Sequence, residues 1–243
     1  MWRTAKVVAL RDETATARTL ALAVAEWPGH VAGQHVDVRL TAPDGYSAVR
    51  SYSIASAPNS DGHIEITVDR LPNGEVSPYL TQEVIVGDEL ELRGPIGGWF
   101  VWRNDQTEPI QLVAGGSGIV PLMAMLRWRA TTGSRAPFRL LYSVREPAAV
   151  FYSDELRSLP DQGDSMAITY AYTRMTPKSW QRPAGRIDAS LIASATWAVS
   201  LRPTIYVCGP TSFVEHVTEL LIAARYDRER IKTERFGATG ERK

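Results

Sequence analysis

Leu112-Val113-Ala114-Gly115-Gly116-Ser117-Gly118-Ile119-Val120-Pro121 decides how the second half of the chain is built. Its apolar opening reads as a strand. The strand breaks on glycines and then meets a proline, a residue favoured in the first turn of a helix. A strand that turns tightly into a helix predicts one unit of a parallel sheet, with helices carrying the chain from strand to strand. Glycines at such a turn let the main chain approach a diphosphate, and the helix N-terminus adds N–H groups and a partial positive charge. A generic glycine turn has the same composition; the strand–turn–helix context favours nucleotide binding. The spacing is not Gly-x-Gly-x-x-Gly, and no Gly-Lys-Ser/Thr follows, so neither the dinucleotide fingerprint nor a P-loop applies.

Downstream, strands are expected at 138–143, 167–171, 204–208 and 231–234, joining the one at 110–114. Helices are expected near 121–130, 154–158, 188–193 and 212–224, the last opening with Ser212 and Glu215 at capping-box spacing. Such alternation predicts a doubly wound parallel sheet, whose ligands sit at the carboxyl ends of its strands. Upstream the period changes to two. Val36, Val38 and Leu40 alternate with Asp37, Arg39 and Thr41; Ile64, Ile66 and Val68 repeat the pattern, as do Leu90 and Leu92. Alternation of this kind marks strands with one buried face. About six short strands, separated by turns such as Pro28-Gly29 and Pro43-Asp44-Gly45, predict a six-stranded antiparallel barrel. The polar stretch from Arg103 to Pro109 reads as a linker. The expected organisation is β + α/β: a barrel domain over 1–104 and a parallel-sheet domain over 109–243, with any shared site in the cleft between them.

Composition excludes several functions. The 243 residues hold 27 basic and 27 acidic side chains, so the basic excess of a nucleic-acid-binding protein is missing. Cys208 is the only cysteine, which rules out an intrachain disulfide, a four-thiolate zinc site and an iron–sulfur cluster within this sequence. His30, His35, His63 and His216 are scattered, and no metal site is expected. The N-terminal apolar run is too short for a signal peptide and stops at Arg11-Asp12-Glu13. The uncharged stretch 109–126 is interrupted by glycine and proline and does not read as a membrane span. A soluble cytoplasmic protein without nucleic-acid or membrane partners is expected.

Four further segments carry chemistry. In Arg50-Ser51-Tyr52-Ser53-Ile54-Ala55-Ser56, alternation puts Arg50 and Tyr52 on one face and Ser51 and Ser53 on the other. The set offers a donor fork for a phosphate, a flat ring for stacking and a hydroxyl for a ring nitrogen. Asn73-Gly74-Glu75-Val76-Ser77-Pro78 reads as a turn opening a short helix, with early N–H groups and Ser77 facing outward to hold a diphosphate. Gly94-Pro95-Ile96-Gly97-Gly98-Trp99-Phe100 closes the last barrel strand. Tyr206-Val207-Cys208-Gly209-Pro210-Thr211 ends a strand and places Cys208 at the carboxyl edge of the sheet. Each also has a plain structural reading, as an amphipathic strand, a capped surface helix, a turn or a packed thiol.

Together and in this order, the five segments resemble the ferredoxin–NADP reductase superfamily, flavoproteins with an FAD-binding barrel and an NAD(P)-binding parallel-sheet domain. The resemblance runs from about Val7 to Phe236. It implies that Arg50 holds the FAD diphosphate, Tyr52 stacks on the isoalloxazine and Ser53 lies near its reactive nitrogen. It implies main-chain contacts to the flavin from Ile66, Thr67 and Val68, with Gly74, Val76 and Ser77 completing the diphosphate site. Gly115, Gly116, Gly118 and Pro121 are implied at the NAD(P) diphosphate. Cys208 borders the nicotinamide, Gly209 and Pro210 shape that edge, and Phe236 falls where relatives return a residue to the flavin. The implied chemistry is hydride transfer from NADPH or NADH to bound FAD, with Ser53, Cys208 and Tyr52 at the reacting rings as positioning groups.

Arg145, Arg174 and Arg186 follow the relevant strand ends and favour NADPH, since a 2′-phosphate needs arginines where an NAD site more often uses a carboxylate. Arginine is abundant throughout the chain, however, so the choice of nicotinamide stays open. Many relatives carry four clustered cysteines in a fused iron–sulfur domain, and this sequence has none. Electrons are therefore expected to leave for a separate acceptor: a ferredoxin, a flavodoxin, an oxygenase component or a small molecule. Two other readings stand beside this one, a reductase of free flavin or small molecules and a non-catalytic regulatory module on the same fold.

Overall fold

The computed structural model describes residues 1–159 and 165–237. The residues fall into two compact units. Met1–Arg103 groups with Met123–Thr132, and Asn104–Leu122 groups with the described residues from Gly133 onward.

In the first unit the alternating segments become β1 (Trp2–Asp12), β2 (Ala17–Val24), β3 (His35–Thr41), β4 (Ser47–Ser53), β5 (His63–Asp69) and β6 (Glu89–Ile96). A short helix, α1 (Ser77–Gln82), sits between the last two strands. The strands form one antiparallel sheet in the order β4-β3-β6-β1-β2-β5. Its inner face is the apolar set the alternation marks, including Leu20, Leu22, Val36, Val38, Ile66, Val68 and Leu92, all fully buried. Burying each such side chain is worth about 1.5–3 kcal/mol. The outer face carries a polar cross-strand cluster. Asp37 of β3 faces Ser51 of β4 on one side and Arg93 of β6 on the other. The Ser51 hydroxyl donates to Asp37 Oδ1 at 2.6 Å and Arg93 Nη2 to Oδ2 at 2.6 Å. Burial pushes the Asp37 carboxyl up, but Ser51 and Arg93 outweigh it and hold it below its ordinary value.

β1 was not legible as an alternating strand because Val7-Val8-Ala9-Leu10 is continuously apolar. The structure shows why. The register on β2 shifts between Val7 and Ala9. The extra residue turns Val8 outward while Val7 stays in the core.

The ends of this sheet meet at one bridge, Ile54 with Ile66. The Ala55 N–H donates to the Glu65 carbonyl at 2.7 Å beside it. Arg127, from the portion of its helix that groups with this unit, locks the seam. Its Nη1 donates to the Ala55 carbonyl at 2.9 Å and to Glu65 Oε2 at 2.8 Å. The Arg127 side chain is only 16% exposed. Arg127→Met therefore removes a charge-assisted pair and leaves a half-buried carboxylate with only the more distant Arg11, at 3.6 Å. A loss of about 2–3 kcal/mol is expected, read as a lower urea midpoint; an unchanged midpoint would show that the clamp holds nothing.

The second unit contains β7 (Ile110–Gly115), β8 (Phe138–Val144), β9 (Met166–Tyr172), β10 (Thr204–Pro210) and β11 (Ile231–Phe236). All pairs are parallel, in the order β11-β10-β7-β8-β9. The helices of the second half of the chain are α2 (Ile119–Thr132), α3 (Ser153–Ser158), α4 (Ala189–Ala195) and α5 (Thr211–Ala223). From β7 the chain steps outward through β8 to β9, then returns to β10 on the other side of β7. The strand order therefore reverses between β7 and β10, and that is where open α/β sheets leave a crevice at the strands' carboxyl ends.

The uncharged stretch before Arg127 is apolar because it is buried; Leu122, Met123, Ala124 and Met125 are fully covered. Among the described residues no helix is long and apolar enough to cross a membrane. α5 buries Val214, Val217 and Leu221, spaced as one helix face, against Val113, Ile205 and Val207 of the sheet. Its start differs from expectation. Pro210 is the N-cap and no side chain caps the helix, so Ser212 and Glu215 form no capping box. The proline that ends β10 fixes the N-cap two residues earlier than the hydroxyl pattern suggested.

Candidate functional site

In the first unit, Arg50 and Tyr52 of β4 stand opposite Val38 and Val36 of β3 and share their face. Tyr52 is part-buried against that core. Burial pushes its phenol well up, and the Arg50 charge offsets this only in part, so the ring stays neutral. Arg50 lies on the exposed part of the strand. Its Nη2 meets Glu75 Oε2 at 2.5 Å and its Nη1 donates to the Val49 carbonyl at 2.8 Å. The Tyr46 hydroxyl donates to Glu75 Oε1 at 2.8 Å. The Tyr46 bond and the Arg50 charge together hold the Glu75 carboxyl below its ordinary value. The structure thus joins the Arg50 strand to the turn before α1, two segments that the resemblance assigns to one diphosphate.

That turn is tightly drawn. A Cβ on Gly74 would lie 2.8 Å from Ser77 Oγ and 3.2 Å from the Leu71 carbonyl oxygen. Ser77 is corrected relative to its expected outward pose. It is 6% exposed, and its Oγ accepts the Leu71 N–H at 3.0 Å, so the hydroxyl closes the turn from inside. Val76 is likewise a core residue, 1% exposed. Ile66, Thr67 and Val68 spend their side chains inside, with Thr67 Oγ1 2.7 Å from Thr19 Oγ1. What β5 offers a ligand is main chain. One edge of β5 pairs with β2; on the other, the only bridge among the described residues is the one at Ile54. Ser53 ends β4 opposite His35, part-buried.

In the second unit the glycine turn and the Cys208-Gly209-Pro210 segment meet at the point where the strand order reverses. A Cβ on Gly118 would lie 2.0 Å from the Cys208 carbonyl oxygen. Cβ atoms on Gly115 and Gly209 would lie 2.6 and 2.7 Å from the Phe213 ring. Gly116 is the opposite case: it has φ +54°, and nothing stands within 4 Å of the Cβ position. Three glycines are thus packed against protein and one opens outward. The helix N-termini of α2 and α5 both begin at this point and add partial positive charge. Pro121 is the third residue of α2, not its start, because a 3-10 turn over Gly116–Gly118 leads into Ile119. It still falls where N–H groups lack helical partners, so proline is tolerated.

Cys208 lies two residues before the end of β10, near the carboxyl edge of the sheet, and is fully buried. Burial pushes the thiol well above its ordinary value, and Glu234, its cross-strand neighbour on β11, pushes the same way. A neutral, covered thiol is not a nucleophile. The exposed residue of the segment is Pro210, which pairs in register with Phe236.

Arg145, Arg174 and Arg186 come to one end of β8 and β9. The Arg174 and Met175 N–H groups donate to the Arg145 carbonyl at 2.9 and 3.1 Å, and the Gly185 N–H donates to the Tyr172 carbonyl at 2.9 Å. All three arginines are exposed, and none has an ion-pair partner among the described residues. Tyr170 and Tyr172 stack at 5.9 Å on the edge strand, with Trp180 edge-on to Tyr172 at 5.0 Å. Sequence reasoning missed these rings, Phe213 and the Tyr46–Glu75 pair. The signal for Phe213 was present: glycines ending two strands leave a space that the ring fills.

The chain belongs to the ferredoxin–NADP reductase superfamily. Residues 9–101 match the oxidoreductase FAD-binding domain family and residues 112–219 the oxidoreductase NAD-binding domain family. The chain is 30% identical over 237 residues to NADH oxidoreductase HCR of Escherichia coli, across 96% of this chain and 68% of that one. It is 30% identical over 209 residues to the glycine betaine monooxygenase reductase subunit of Chromohalobacter salexigens, across 85% of this chain and 56% of that one. It superposes on the FAD/NAD-binding domain of nitric oxide dioxygenase from Vibrio cholerae with a TM-score of 0.85 at 25% identity, across 97% of this chain and 98% of that one. The chain spans little more than half the length of several curated relatives it matches.

Proposed function

We propose that this chain is a reductase that takes hydride from NAD(P)H onto FAD and passes electrons to a separate acceptor. The observation that carries the reading is the meeting of Gly118 with Cys208 and Gly209 where the strand order reverses, with Gly116 left open above it. The residues fit both cofactors. Arg50 offers a fork to a flavin diphosphate, Tyr52 an uncharged ring and Ser53 a hydroxyl. Three exposed guanidiniums at Arg145, Arg174 and Arg186, unpaired among the described residues, suit a phosphorylated ribose and support NADPH as the preferred donor; the E. coli relative is named for NADH. When bound, the nicotinamide and the flavin supply the redox chemistry themselves. The chain's part is to bind, orient and cover. Arg50 anchors, Tyr52 fixes the ring plane, Ser53 hydrogen-bonds at the ring edge, and the Cys208-Gly209-Pro210 segment shapes the nicotinamide side. No general base is needed. The oxygenase components implied by the names of relatives, together with ferredoxins and flavodoxins, are the acceptor classes proposed. A reducing compartment such as the cytoplasm suits the lone thiol.

Purified protein with an oxidised-flavin spectrum, bleached anaerobically by NADPH faster than by NADH, is the expected result. A colourless protein that takes up no added FAD overturns the reading. Ser53→Ala is expected to slow flavin reduction about tenfold while FAD stays bound, the cost of one lost orienting contact; Cys208→Ala is expected to slow it likewise by loosening the packing that shapes the nicotinamide edge. Stopped-flow rates equal to the unsubstituted protein in both variants would remove these residues from the site. A reductase of free flavin is the second reading. One contact favours it, the Glu75 carboxylate already seated on Arg50.

A further inference from the structure

We propose that Glu75 competes with the flavin diphosphate for Arg50, so that flavin loading is an exchange of one anion for another and Glu75 sets how tightly flavin is kept. The inference rests on the FAD reading above and deepens it. Both terminal nitrogens of Arg50 are engaged, Nη2 by Glu75 and Nη1 by the Val49 carbonyl. Both Glu75 oxygens are engaged as well, one by Arg50 and the other by the Tyr46 hydroxyl. The carboxylate is therefore held in one pose, aimed at the group that a diphosphate needs.

The backbone beneath it is tied at both ends of the turn. The Gly74 N–H donates to the Leu71 carbonyl at 2.9 Å, Ser77 Oγ accepts the Leu71 N–H at 3.0 Å, and Gly74 has no room for a Cβ. The contacts that can rearrange are those of the exposed side chains, Glu75 among them. A phosphate arriving at Arg50 meets a negative charge on the same guanidinium and must turn it away, breaking the Arg50 and Tyr46 contacts together. The pair is about half exposed on each side, so its hold is modest. The carboxylate retunes the site rather than closing it. A flavin without phosphate has no competition with Glu75 to lose.

The test titrates flavin-stripped full-length protein with FAD, FMN and riboflavin, following flavin fluorescence, for the unsubstituted chain, Glu75→Gln and Tyr46→Phe. Glu75→Gln is expected to tighten FAD about three- to tenfold, the scale of an exposed ion pair plus relief of like-charge repulsion. FMN should shift in the same direction and riboflavin not at all. Tyr46→Phe frees one carboxylate oxygen and should tighten FAD by a smaller factor, giving a second reading at a residue whose loss leaves the charge in place. Circular dichroism verifies that both variants fold. FAD affinity unchanged or weakened in Glu75→Gln, or riboflavin tightened as much as FAD, overturns the proposal. An unsubstituted chain that binds none of the three flavins instead overturns the FAD reading, and the competition with it.

Discussion

Gly118→Ala lowers the unfolding free energy by at least about 3 kcal/mol, beyond the usual range for overpacking by one methyl. The cause is local and has no relief. The new Cβ would stand 2.0 Å from the Cys208 carbonyl oxygen and 2.4 Å from its carbon. Both are main-chain atoms of a strand paired on each side, to β7 and β11. A flexible side chain could swing away; a central strand cannot move without disturbing both neighbours. The substitution therefore forces apart the two segments that meet where the strand order reverses. The expected readouts are a large drop in urea midpoint and loss of reduction by either nicotinamide. Gly116→Ala is the matched comparison, because nothing surrounds that position and only its φ of +54° carries a cost, about 1 kcal/mol. Equal midpoints for the two variants would show that the close approach at Gly118 is absent in solution.

Replacing Arg145, Arg174 and Arg186 together with alanine is expected to lower the ratio of kcat/KM for NADPH over NADH roughly a hundredfold, two charge-assisted contacts at the lower end of their range. The three differ from other arginines of the chain. Arg39, Arg93, Arg127 and Arg182 are each committed to a carboxylate. The strand-end trio is exposed and unpaired among the described residues, so no ion pair is lost when they are removed. The fold should survive and the NADH rate should hardly change. A ratio that stays where it was would mean that these guanidiniums do not read the 2′-phosphate.

Most of the architecture was legible because each half of the chain repeats one simple period. β3, β5 and β6 follow alternation, and β7, β8, β9 and β10 are short, largely apolar runs bounded by turns, so their positions were readable to within a residue or two. The failures share a cause: tertiary packing overrode a local signal. The bulge at Val8 erased the alternation of β1. Pro210 displaced Ser212 as the start of α5. At the site, residue types announced chemistry but not which way the atoms point. Ser77 has a donor-rich side chain in a phosphate-suited turn, yet the turn uses that hydroxyl to close itself. Cys208 stands near the ligand end of its strand, yet it is fully buried. Glu75 lay within the segment already singled out, but its meaning depends on Arg50, 25 residues away, and a single sequence does not report that distance.

The covered thiol has a practical consequence. A chain with one cysteine, sealed and neutral in the folded protein, carries its own opening sensor. Alkylating reagents need a thiolate within reach. Labelling of Cys208 can proceed only when the structure around it opens, so its rate counts those excursions against the free energy that opposes them. Mass-resolved labelling of the untouched chain, with and without nucleotide, would measure how much a ligand steadies the centre of this sheet without adding any probe.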